Sequence, residues 1–150
     1  MEILTVRDLS FKYTLGTEAA ISGISFGVEE GDFVAVSGPM GDLSGTVLLD
    51  GTPVEEIDPR TAASSIGFVM QRPEHQIVTD KVWHELAFGL ENLGYSQDVI
   101  RRRVSEMASY FNIESWFEKD VSELSGGQKQ LLNLASIMVM QPRILILDEP

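Results

Sequence analysis

The hydrophobic pattern of this chain changes period part-way along. Up to Met70 the apolar residues come in short runs or alternate, and from Val82 to Met138 they recur at helical spacing. Ile3-Leu4-Thr5-Val6 and Leu9-Ser10-Phe11 read as extended, and Ile21 to Val28 alternates imperfectly around Gly23 and Gly27. Glu29-Glu30-Gly31-Asp32 reads as a turn. Phe33-Val34-Ala35-Val36 is continuously apolar, which predicts a short strand covered on both faces of a parallel sheet. Thr46 to Leu49 predicts another strand, closed by an Asp50-Gly51 turn that opens a hairpin. Ile66 to Met70 predicts a third buried strand, which delivers Gln71.

The helical part divides at its caps. Asp80 is placed to cap a helix in which Trp83, Leu86, Ala87, Leu90 and Leu93 share the core face, and Gly94 stops it. Ser96 is placed to cap the next, with Ile100, Val104, Met107 and Phe111 at helical spacing. Ser125 caps a third through Leu131, Leu134, Ala135 and Met138, until Pro142 ends it. Ile144-Leu145-Ile146-Leu147 is a last apolar strand. Strands, a helical insert and a final strand predict an α/β architecture.

Composition narrows the function classes. The 150 residues suffice for one domain with a real core, and 43% hydrophobic with 23% charged residues is ordinary for a globular chain. A net charge of −12 argues against a nucleic-acid surface, so no nucleic-acid partner is expected. The one basic run, Arg101-Arg102-Arg103, falls on an amphipathic helix and reads as a solvated face. There is no cysteine, and His75 and His84 read as loop and helix-face residues, so neither thiolate chemistry nor a transition-metal site is expected. Met1 to Leu4 has no export signature, which makes the cytoplasm the expected compartment.

Two segments carry candidate chemistry. In open α/β sheets ligands gather at the carboxyl ends of the strands, where Asp148 and Glu149 emerge. Asp148 there can hold Mg²⁺, and Glu149 can orient or deprotonate a water. An acidic strand end before a proline turn is equally a common surface feature. Leu124-Ser125-Gly126-Gly127-Gln128 is more specific. Ser125 caps a helix, and the glycine pair lets backbone N–H groups approach an anion. The helix dipole adds about half a positive charge at that end.

Leu124 to Gln128 resembles the signature motif of the ATP-binding-cassette (ABC) ATPases, and Ile144 to Glu149 resembles their Walker B strand. The resemblance implies an α/β, P-loop NTPase-like ABC ATPase core with an N-terminal antiparallel β subdomain and a helical insert. It implies ATP and Mg²⁺ as cofactors. Gln71 then matches the glutamine that senses Mg²⁺ and the γ-phosphate, and Tyr13 the aromatic that stacks on adenine. Gln76 to Asp80 with Glu85 to Asn92 resembles the ATPases of energy-coupling-factor (ECF) importers. That implies a second ABC subunit in a head-to-tail dimer, a membrane-embedded coupling protein, and a peripheral position on the inner membrane face. The expected organisation is a β-rich part at 1–72, a helical insert at 73–125, and the signature helix with the Walker B strand at 126–150.

The family's phosphate loop, G-x-x-G-x-G-K-[ST], is only begun here. Ser37-Gly38-Pro39-Met40-Gly41 starts it, and Asp42 to Val47 resembles the segment that follows the family's first helix. The third glycine, the lysine, the Ser/Thr and that helix are expected to be missing. No lysine occurs between Lys12 and Lys81 to replace the lost one. Asp42 would set a carboxylate near the triphosphate, and loss of the helix would expose apolar sheet surface. The stop at Pro150 reads as an incomplete domain. The expectation is therefore an ECF-type importer ATPase impaired in ATP binding and hydrolysis. The alternatives are a non-catalytic partner supplying only the signature, or a soluble ABC ATPase with no membrane partner.

Overall fold

The computed structural model describes residues 1–12, 19–34 and 42–148, with backbone alone at Ala19, Asp42 and Leu43. Tyr13, Gly38, Pro39, Met40, Gly41 and Glu149, all predicted site residues, lie outside the described residues. The chain divides into two compact units, Met1–Asp58 and Pro59–Pro150.

The first unit is an antiparallel sheet of strand order β2-β1-β3-β4, built from β1 (Glu2–Lys12), β2 (Ala19–Glu29), β3 (Asp42–Leu49) and β4 (Thr52–Pro53). The two extended runs predicted within residues 3–11 are one strand interrupted by a bulge. Asp8 takes φ 52° there, its N–H donates to Ser25 Oγ at 3.0 Å, and the register with both neighbours shifts across it. Glu29 to Asp32 forms the predicted turn, with Asp32 N–H donating to Glu29 O at 3.1 Å. Asp50 at φ 50° and Gly51 at φ 80° give the paired positive φ of a type I′ hairpin turn, joining β3 to β4.

Two expectations change in this unit. Phe33 and Val34 are not in a strand, and Phe33 is 90% exposed rather than buried. An apolar run becomes a buried strand only where neighbours pair with it, and among the described residues no strand pairs with these two. Asp42 and Leu43 are already strand, with Asp42 in register with Lys12, so β3 starts four residues before the predicted Thr46. Gly45, at φ 128°, hides that extension from an alternation pattern.

The second unit comprises α1 (Pro59–Ser65), β5 (Ile66–Val69), α2 (Val82–Asn92), α3 (Gln97–Phe111), α4 (Gly126–Met138) and β6 (Ile144–Leu147). β5 and β6 pair in parallel, Ile66 opposite Ile144 through Val69 opposite Leu147. The three long helices share one apolar core: Leu86 and Leu90 of α2, Val104 and Ala108 of α3, Leu132 and Ala135 of α4. Leu90→Ala should cost about 2–5 kcal/mol, because a fully buried leucine would leave a cavity among three helices. A urea titration of the full chain checks this; a loss below about 1 kcal/mol would mean the core collapses onto the gap.

The three predicted helices hold in place as α2, α3 and α4, with α1 in addition, but not in every side chain. Lys81, not Asp80, is the N-cap of α2, and it makes no side-chain cap. Trp83 is 42% exposed and stacks on His84 instead of entering the core, while Val82 takes the buried position. Ser96 is the N-cap of α3 without a side-chain hydrogen bond. On α4 the buried face is Leu132, Asn133, Ala135 and Ser136, with Leu131, Leu134 and Met138 only half-buried. Gly89, which costs an exposed helix interior about 1 kcal/mol, has a packing reason: a Cβ there would lie 2.6 Å from Met140 Sδ. β5 and β6 are not covered on both faces, since Phe68 and Leu145 to Leu147 stay 38–43% exposed. No helix among the described residues is long and apolar enough to cross a membrane.

Candidate functional site

Two predicted site residues leave neighbouring strand ends together. Gln71 lies two residues beyond β5 and Asp148 immediately follows β6. The ladder extends past the strands, because the Asp148 N–H donates to Val69 O at 2.9 Å. Both side chains are exposed. A carboxylate and a carboxamide at the carboxyl end of a parallel pair offer oxygen ligands suited to a hard cation such as Mg²⁺.

The loop after β5 is fixed by side chains whose contacts the sequence did not reveal. Gln76 Oε1 accepts from Met70 N–H at 2.8 Å, and its Nε2 donates to Phe68 O at 2.7 Å. The same Oε1 accepts from Asn133 Nδ2 of α4 at 2.9 Å. Further along, the buried Glu85 carboxylate accepts from Val78 N–H and Thr79 N–H, at 3.1 and 2.9 Å. Gln71 therefore sits on a loop pinned at both ends. A polar residue inside an apolar-periodic helix was the available signal for both Glu85 and Asn133.

Lys81 closes the segment ahead of α4 onto the start of α2. Its Nζ pairs with Asp120 Oδ1 at 2.9 Å. That hydrogen bond raises the Lys81 ammonium above its ordinary value, opposed by desolvation, with the charges of Asp120, Asp80 and Glu123 adding to the rise. A raised folded value means the pair stabilises the fold below the ordinary lysine range and stops doing so as pH climbs past it. Asp120 in turn heads a capping box with Glu123, which leads the chain into Leu124.

The signature segment lies at the N-terminus of α4. Ser125 Oγ accepts from Gln128 N–H at 3.4 Å, and Gln128 Oε1 accepts from Ser125 N–H at 2.9 Å. The reciprocal pair holds the first turn and uses those two N–H groups. Leu124 is buried and belongs to the helical core, so only its backbone is available to a ligand. Gly126 and Gly127 are exposed, have no positive φ, and a Cβ on either would meet nothing within 4 Å. Among the described residues nothing requires glycine at these two positions. Their free N–H groups lie at the positive end of the helix dipole, which suits a phosphate.

The structure joins Gln71 to Asp148 through strand pairing and sets the signature apart from the loop contact. Eight residues separate Ser125 from Asn133, about 12 Å along the helix axis at 1.5 Å per residue. A Cβ on Gly67 would lie 2.5 Å from Ile137 Cγ2, so α4 crosses the start of β5 closely at its C-terminal end. Asn133, one turn earlier, reaches the loop beyond the end of β5.

An antiparallel sheet unit, a parallel strand pair and helices between its strands define the α/β architecture of the P-loop NTPases. The family described as "ABC transporter" matches residues 35–150, and the chain belongs to that family. It is 39% identical over 163 positions to an ABC transporter ATP-binding protein of Bacillus anthracis, covering 97% of this chain and 30% of that one. It is 34% identical to the energy-coupling factor transporter ATP-binding protein EcfA of Methanococcus maripaludis, covering 100% of this chain and 60% of that one. The solved structure of cbiO1 from Clostridium perfringens, part of the ABC transporter complex cbiONQ, superposes with a TM-score of 0.81 at 31% identity. It spans 99% of this chain and 66% of that one. The chain thus covers between 30% and 66% of the length of these relatives.

Proposed function

We propose that this chain derives from the ATP-hydrolysing subunit of an ECF-type importer, which energises uptake of a small solute, a vitamin or a metal ion. The observation that carries the reading is the open glycine pair. Gly126 and Gly127 answer no need of packing or backbone among the described residues, and they present N–H groups at a capped helix N-terminus. The similarity to relatives named as an energy-coupling factor transporter ATP-binding protein and a cobalt import ATP-binding protein supports the importer class. In this reading Asp148 and Gln71 hold Mg²⁺, Glu149 orients or deprotonates the attacking water, and Tyr13 stacks on adenine. Bound Mg-ATP would supply the γ-phosphoryl group and the charge on it. The signature residues Ser125, Gly126, Gly127 and Gln128 would face the phosphates held by a second ABC subunit, head to tail. A membrane-embedded coupling protein would dock the pair on the inner membrane face.

We further propose that the phosphate loop is interrupted after Gly41, which leaves Gly38, Pro39, Met40 and Gly41 as a remnant. Alignment to an ABC transporter relative of Pyrococcus horikoshii takes 170 positions to span 100% of this chain of 150 residues. The relative therefore carries some 20 positions with no counterpart here, enough for the rest of the loop and a helix of about four turns at 3.6 residues per turn. An intact signature beside a shortened loop favours one second reading, a partner that completes another subunit's site without binding ATP in its own. The deciding experiment is to titrate this chain into an intact homologous subunit and measure phosphate release. Turnover that rises to a plateau at one chain per subunit supports signature donation. Turnover independent of the added chain removes it.

A further inference from the structure

Asn133 is the residue the fold explains least. It is fully buried on α4 between Leu132 and Leu134, and its Oδ1 has no hydrogen-bond partner among the described residues. A leucine there would bury no unpaired carbonyl, so stability alone does not favour the amide. The other half of the amide is engaged. Its Nδ2 donates to Gln76 Oε1, which also takes the Met70 N–H, while Gln76 Nε2 donates to Phe68 O. Gln76 thus folds the loop back onto the end of β5, and Asn133 hydrogen-bonds that fold to the helix carrying the signature. Gln71 lies between the two anchor points, Met70 and Gln76.

We propose that Gln76 and Asn133 are positioning residues, an amide clasp that fixes the Gln71 loop to the signature helix so that a load at Ser125–Gln128 is felt at Gln71. The clasp stands on the hydrogen bonds alone; its bearing on turnover rests on the ATPase reading above. The clasp acts through hydrogen bonds on a single loop, which distinguishes it from apolar packing. Removing it should free the loop without loosening the helices.

The test uses the full chain with Asn133→Leu and, separately, Gln76→Leu. Amide hydrogen exchange across residues 66–77 is measured alongside thermal unfolding. Asn133→Leu should speed exchange at Met70 at least about tenfold while Tm stays level or rises, since an opened local bond exchanges without global unfolding. The double variant should be no faster than Gln76→Leu alone, as expected for two members of one network. Unchanged Met70 exchange overturns the clasp. So does faster exchange spread evenly over α2, α3 and α4 with a falling Tm, which would make Asn133 merely structural. If Asn133→Leu fails to fold, Asn133→Ala is read the same way. In the mixture with an intact subunit, Asn133→Leu should lower kcat several-fold and leave KM for ATP unchanged. An unaltered kcat beside freed Met70 exchange overturns the transmission to Gln71. Absence of turnover even with the wild-type chain removes the ATPase reading instead, and the exchange result then decides the clasp by itself.

Discussion

Purified alone, this chain should release phosphate from Mg-ATP at least about 10²–10³-fold more slowly than an intact relative of the same family. That is the usual cost of removing a single preorganised donor to developing charge, and here several are proposed to be missing together. Asp148 and Gln71, the proposed Mg²⁺ ligands, follow the ends of β6 and β5, but metal ligands cannot replace the lysine and backbone N–H groups that bracket the β- and γ-phosphates. No lysine lies between Lys12 and Lys81 to serve in its place. The measurement is steady-state phosphate release at saturating Mg-ATP, with Glu149→Gln as the blank. A family-like rate that Glu149→Gln abolishes would overturn the interrupted loop. Grafting a relative's segment between Gly41 and Asp42 is the converse test, and should raise turnover by the same factor.

How much could be read from residues alone depended on the kind of signal. α2, α3 and α4 were legible because their apolar residues recur at helical spacing, with Gly94 and Pro142 marking the ends of α2 and α4. α1 was not, because Pro59 to Ser65 has small and polar residues on every side and buries none of them fully. The core face of α4 was misplaced by one position. Leu131-Leu132-Asn133-Leu134 is apolar on either side of a polar residue, so spacing cannot fix its rotation, and packing chose Leu132. Trp83 was assigned to the core by its size and period, yet Val82 fills that position more compactly. In the candidate site, Ser125, the glycine pair and Asp148 were legible because their chemistry is local to a few residues. Gln76 and Glu85 fall in the segments that resemble the ECF ATPases, but their hydrogen bonds, and those of Asn133, were not legible. Their partners are backbone groups and side chains up to 57 positions away, and no pattern along the chain records such a contact.

Gly127→Asp separates function from stability more sharply than any other single change. The backbone at Gly127 does not use a positive φ, and a Cβ there meets nothing, so the substitution brings neither strain nor a clash. A carboxylate in the first turn of α4 should even stabilise the helix, by about 0.3–1 kcal/mol through its dipole. Tm should therefore stay level or rise slightly. Turnover in the mixture with an intact subunit should fall more than about 10²-fold, since the new charge would stand where the partner's phosphate needs donors. Gly127→Ala is the control that adds the Cβ without the charge, and should keep most of the activity. Loss of activity in the alanine variant as well would point to close backbone approach of the phosphate, with no room even for a methyl group. Full activity in Gly127→Asp, with Tm unchanged, would show that the glycine pair faces no phosphate at all, and the proposed signature donation would fall with it.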